Sequence, residues 1–97
     1  MPTGNKFISV NANSGDAVVL DASDTNNKDV HFTCSLACYV VFEAATVTAA
    51  NSAIGTNPVL CAAGFVHTFY GIKPSTTWVR SQTANATAAS YWFSKGG

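Results

Sequence analysis

Charge is scarce in this chain. Only 10% of the 97 residues are charged, five basic and five acidic, for a formal net charge of +0. Ordinary soluble domains carry about 25%. The basic residues Lys6, Lys28, Lys73, Arg80 and Lys95 are scattered along the chain. They form no basic stripe, which excludes a nucleic-acid footprint. No apolar run approaches the ~18 residues of a membrane-spanning helix, so no membrane partner is expected. The opening residues MPTGNKFISV lack the ~7–15-residue apolar core of an export signal. The chain is expected to be made in a cytoplasm and used without that route. Cysteine is sparse and odd in number, at Cys34, Cys38 and Cys61, where a disulfide framework is usually even and denser. Free, buried thiols that pack as small apolar residues are expected. No internal repeat and no linker is visible.

Apolar residues are plentiful, at 47%, so the chain should fold. Its length suits one domain over 1–97, with loose ends at about 1–5 and 95–97, burying roughly 65% of its unfolded surface. Ser, Thr, Asn and Ala take the surface places usually held by Lys and Glu. Such a neutral exterior, without net repulsion, tends to associate with itself or with a partner.

The chain is organised around residues 28–43, KDVHFTCSLACYVVFE. Val30, Phe32 and Cys34 alternate with His31 and Thr33, the period of a half-buried strand. Two strands are expected, over 29–34 and 37–43, joined as a hairpin by a tight turn at Ser35-Leu36. Tyr39, Val40, Val41 and Phe42 are apolar at successive positions. Both faces of that strand must therefore be covered, by a second sheet on one side and another subunit on the other.

Further strands are expected over 6–11, 17–20, 59–62, 65–70, 76–83 and 87–94. In the first, Phe7 and Ser9 share one face and Ile8 and Val10 the other. Trp78, Arg80 and Gln82 alternate with Thr77, Val79 and Ser81. Ala89, Tyr91 and Phe93 lie opposite Ser90 and Trp92. Residues 21–27, DASDTNN, read as a loop. Residues 44–57 are ambiguous: Thr46-Val47-Thr48 favours a strand, while the alanines tolerate a short helix. Seven or eight short strands at ~8–12-residue spacing, with no convincing amphipathic helix, give an all-β fold. The expected form is a single small antiparallel β-sandwich of jelly-roll or Greek-key type, a barrel being the alternative.

Several constellations carry ligand chemistry. His31, Cys34, Cys38, Cys61 and His67 are zinc-type ligands, but Cys34 and Cys38 flank a turn inside apolar strands, which favours core thiols. Asp21, Ser23, Asp24, Asn26 and Asp29 crowd oxygen ligands into one loop that lacks the Gly and terminal Glu of an EF-hand. Glu43 has no obvious carboxylate partner, and His31 and His67 sit in no G-x-S-x-G, H-E-x-x-H or P-loop spacing. No catalytic residue, cofactor or metal is assigned, and no enzymatic activity is expected. Trp78, Tyr91, Trp92 and Tyr70 would stack on sugars if they shared one exposed face. A carbohydrate- or receptor-binding module, such as a fibre or lectin-like domain, is the alternative reading.

The last third, GIKPSTTWVRSQTANATAASYWFSKGG, has a turn at Pro74, a strand ending in Thr77-Trp78-Val79-Arg80 and a Thr/Ala-rich final hairpin. Together with the length, the low charge and the Ala/Thr/Ser/Asn-rich strands, it resembles the small all-β accessory proteins of tailed-phage virions, especially capsid decoration (cement) proteins. The resemblance implies a non-enzymatic structural protein of a bacteriophage virion. It implies a homo-oligomer, a trimer foremost, that binds the major capsid protein across capsomer junctions. On this reading Tyr39, Val41, Trp78, Arg80 and Trp92 are the expected oligomer or capsid interface.

Overall fold

Four nested antiparallel strand pairs define the architecture. The computed structural model describes residues 5–94. Its strands are β1 (Lys6–Val10), β2 (Val18–Val19), β3 (Lys28–Cys34), β4 (Cys38–Val41), β5 (Val59–Cys61), β6 (His67–Ile72), β7 (Trp78–Ser81) and β8 (Thr87–Phe93). One helix, α1 (Val47–Ile54), lies between β4 and β5, and a 3-10 turn, Pro74–Thr76, precedes β7. β1 pairs with β8, β2 with β7, β3 with β6 and β4 with β5. Pairings of β3 with β8 and of β4 with β7 then join these ladders into sheets. The first sheet has the order β1-β8-β3-β6 and the second β2-β7-β4-β5. A long hairpin rolled over on itself gives this nesting, which is the jelly roll among the expected topologies. The loose ends expected at 1–5 and 95–97 fall outside the described residues, except for Asn5.

The main core fills the space between the sheets. Val10, Val30, Phe32, Cys34, Cys38, Val40, Cys61, Val79, Ala89, Tyr91 and Phe93 are all buried there. In β3, β7 and β8 the buried residues are alternate ones, as the period-2 pattern requires. Each large ring contributes about 2–3 kcal/mol by leaving water. The Tyr91 hydroxyl donates to the Leu20 carbonyl at 2.9 Å, so its polar end is satisfied inside the core.

Three expectations are corrected. First, β3 and β4 do not form a hairpin, and neither do β7 and β8; each pair is divided between opposite sheets, because the connecting turn crosses the sandwich. The turn between β3 and β4 is held by Ser35 N–H donating to Ala88 O at 3.1 Å and Gln82 N–H donating to Ala37 O at 2.9 Å. Cys34 and Cys38 can then both face the same interior, and both are buried.

Second, the ambiguous segment folds as α1. Thr46, in extended conformation, caps it by accepting from Ala49 N–H at 3.2 Å, which satisfies one of the free donors of the first turn.

Third, part of the cover on the outer face of β4 comes from this helix of the same chain. Val41, Ala44, Ala17, Ala50 and Ile54 form a second buried cluster, with Tyr39, Ala53 and Trp78 packed against it. The alanines let the helix approach closely, and Asn51 pins it by accepting from Ala17 N–H at 2.8 Å and donating to Asp16 Oδ1 at 3.0 Å.

β6 begins at His67 and runs on to Ile72. Tyr70 and Gly71 together oppose Asp29, a bulge marked by the register shift between Lys28 and Val30. Gly71 takes the left-handed conformation there, φ 63, which glycine adopts without steric cost. Its N–H donates to Asp29 Oδ1 at 2.9 Å.

Candidate interaction surface

The five residues expected at an interface are divided among three places. Val41 is buried and Trp78 half-buried beneath α1. The Trp78 indole donates to the Ala44 carbonyl at 2.8 Å. Trp92 lies on the outer face of the first sheet, stacked on His31 with ring centroids 5.6 Å apart. Tyr39 and Arg80 are cross-strand neighbours on the second sheet, and Leu60 continues their row onto β5. The Tyr39 hydroxyl accepts a hydrogen bond from Gln82 Nε2 at 3.4 Å. Arg80 has a buried Nε that meets no acceptor. The ion pair found among the described residues joins Lys28 to Asp24 and leaves Arg80 unpaired with any carboxylate.

A second surface escaped the strand-by-strand reading. Val59 is 44% exposed, Leu60 51%, Phe65 66% and Val66 59%. Residues 62–66 link β5, the edge of the second sheet, to β6, the edge of the first, so Phe65 and Val66 lie on the connection between the two edges, close in the chain to Val59 and Leu60 on either face of β5. β5 has one neighbour only, β4, and cannot cover its own apolar residues. The signal that points here is charge: residues 59–70, VLCAAGFVHTFY, hold no Asp, Glu, Lys or Arg.

The thiols lie in the main core. Cys38 and Cys61 face each other in register. The Cys34 thiol donates to Cys61 O at 3.5 Å and the Cys38 thiol to Leu36 O at 3.2 Å. Burial pushes Cys38 and Cys61 up to about 12 and raises Cys34 as well. Metal binding and nucleophilic attack both need the thiolate, so these groups are held in the form suited to packing.

The histidines stand apart from the thiols. His31 Nδ1 meets Thr68 Oγ1 at 3.0 Å and its Nε2 meets Ser94 Oγ, while His67 Nε2 meets Ala62 O at 3.1 Å. Among the described residues no three His, Cys, Asp or Glu side chains converge as a metal site.

The carboxylates of the polar loop are likewise committed to separate partners. Asp21 accepts from the Ser23 hydroxyl at 2.8 Å and from Ser23 N–H at 3.0 Å. Both bonds lower its pKa, the hydroxyl first. Asp24 pairs with Lys28 at 3.1 Å, and Asp29 accepts from Gly71.

The rings proposed for sugar stacking do not share a face either. Tyr91 is in the core, Trp78 lies under the helix, Trp92 is on the first sheet, and Tyr70 is 77% exposed at the edge of that sheet. A cleft of about 340 Å³ opens at the opposite end of the sandwich from residues 62–66, lined by Phe42, Glu43, Ile72, Lys73 and Thr76 among others. Glu43 is left-handed there, φ 59. Residues 59–66 hold four of the six exposed large apolar side chains among the described residues, with the Leu60–Tyr39–Arg80 row beside them. No family model, curated protein or solved structure matches this chain.

Proposed function

We propose that the chain is a non-enzymatic structural protein of a virion, a decoration protein that binds a capsid shell as a homo-oligomer. The observation that carries this reading is the uncharged apolar corner at Val59, Leu60, Phe65 and Val66 on a chain of net charge +0. Exposed apolar clusters of this kind mark surfaces that work when covered. A neutral surface loses little hydration on docking, and many repeated contacts on a lattice sum through multivalency. Jelly rolls recur among capsid and lectin domains, a support by analogy of fold alone.

The test is sedimentation with capsid shells of the encoding phage prepared without this chain. The protein should pellet with the shells and raise their resistance to heat. Leu60→Glu should abolish pelleting, because it places a charge in the contact through which copies associate on the shell. A protein that stays in the supernatant at saturating shell concentration would overturn the reading.

A further inference from the structure

We infer that the β5–β6 corner is a self-association surface, where a second copy docks about a two-fold axis that runs β6 antiparallel to its own mate. This deepens the oligomeric reading above by naming the surface and its symmetry.

Each sheet has two edges, and three of the four are protected. β2 is two residues long and β5 three, too short to template a partner. β1 carries Lys6, a charge of the kind that keeps edges apart. β6 is six residues, HTFYGI, with neither charge nor proline. Its bulge lies at the Tyr70-Gly71 end. The other end, His67 to Phe69, keeps regular register with β3 and adjoins the exposed Phe65 and Val66.

A two-fold contact sets a surface against itself. That is unfavourable for a charged patch, but residues 59–70 contain no Asp, Glu, Lys or Arg, so no like charges oppose each other. The exposed parts of Val59, Leu60, Phe65 and Val66 sum to on the order of 400 Å², spread over both faces of β5 and the connection after it. That is roughly half of the ~800 Å² per partner of a standard interface. The open edge of β6 and the Tyr70 ring beside it supply further area. The outcome is a weak, concentration-dependent dimer, not the trimer expected from resemblance.

Sedimentation equilibrium of the full chain over a range of concentrations tests this. The wild type should fit a monomer–dimer equilibrium. Phe65→Glu and Val66→Lys should each raise the dissociation constant roughly tenfold or more, since each sets like charges together across the axis. Both residues are exposed, so the urea midpoint of the monomer should not move. Phe7→Lys, on the opposite edge of the same sheet, should leave the dimer intact. A wild-type monomer at all concentrations, a trimer, or loss of association in Phe7→Lys alone would overturn the inference. Shell binding by a protein that never dimerises would sink it and leave the decoration reading standing. A dimer that Phe65→Glu disrupts but that ignores shells would do the reverse.

Discussion

The two buried clusters are built differently. Between the sheets, rings and β-branched residues interdigitate from both sides: Phe32, Tyr91, Phe93, Val30, Val40 and Val79. Beneath α1 the buried residues are smaller, Ala17, Ala44, Ala50, Val41 and Ile54, with the half-buried Trp78 and Tyr39 as the large rings against them. The first cluster joins strands distant in sequence. The second attaches one local helix to the back of a finished sheet. Loss of the first should dissolve the fold, whereas loss of the second should release the helix and leave the sheets.

The largest expected effect is therefore on Phe32, which is fully buried and packs near Phe69 at 6.1 Å between centroids. Phe32→Ala should cost about 3–5 kcal/mol and Ile54→Ala about 2–3 kcal/mol, reflecting side-chain size and how far each site can relax. Urea unfolding followed by far-UV circular dichroism and by tryptophan fluorescence separates them. Phe32→Ala should shift both signals together. Ile54→Ala should move the fluorescence of Trp78 before the sheet signal. Equal losses with coincident transitions would erase the distinction.

How much of this was legible in the sequence follows the same division. The alternation in 29–34, 76–83 and 87–94 separated the two faces of β3, β7 and β8, because a strand with one wet face writes its burial into every second position, but in β7 and β8 it did not say which face was inward. The β4 run was read correctly as covered on both faces, but the cover was misassigned. Helix α1 is eight residues long and, in its sequence VTAANSAI, mixes alanine with β-branched residues. Its stability comes from the sheet it lies on, and no local pattern reports that. The hairpin error has a related cause. A short turn between two apolar strands does not say whether they pair in one sheet or cross to another. The interface suffered most. Tyr39 and Arg80 do adjoin as half-buried neighbours, but Val41 in β4 and Trp78 in β7 lie beneath a helix whose position no local pattern reports. The exposed corner went unnoticed because alternation alone does not say which face of a strand is wet.

The next effect sharpens the comparison by pH. Cys38 and Cys61, with a normal thiol value of 9.0, and Tyr91, with a normal value of 10.0, are pushed up to about 12 by burial. All three belong to the main core, and none to the cluster under the helix. A raised value means that the folded state holds the proton longer than the unfolded chain. Stability is therefore full below pH 9 and declines as pH rises toward 12. The urea midpoint should be flat from pH 7 to 9 and fall above it, and Cys61→Ala should flatten that fall while lowering the starting value. An unchanged midpoint at alkaline pH would mean that these groups are not as dry as the packing implies.

A smaller loss is expected from Trp78→Phe. The substitution keeps a ring beneath the helix but removes the donor to the Ala44 carbonyl. The cost should be about 1–2 kcal/mol, the range for leaving a buried acceptor unmet. The urea midpoint, read by far-UV circular dichroism, should fall accordingly. A loss as large as that of Phe32→Ala would show that the helix cluster is as essential to the fold as the space between the sheets.

The smallest effect is at the cap. Thr46 offers its hydroxyl oxygen to Ala49 N–H at 3.2 Å, and its removal should cost about 1 kcal/mol. The charge makes little difference there, since neither the first nor the last turn of α1 carries an acidic or basic residue. The free amides of the first turn therefore lean on this one side chain and on water. Thr46→Ala should accelerate hydrogen exchange at the amides of Val47–Ile54 while the amides of β3 and β8 keep their protection. Exchange rising equally in helix and sheets would mean that α1 unfolds only with the whole molecule. The two clusters would then be one cooperative unit, despite their different construction.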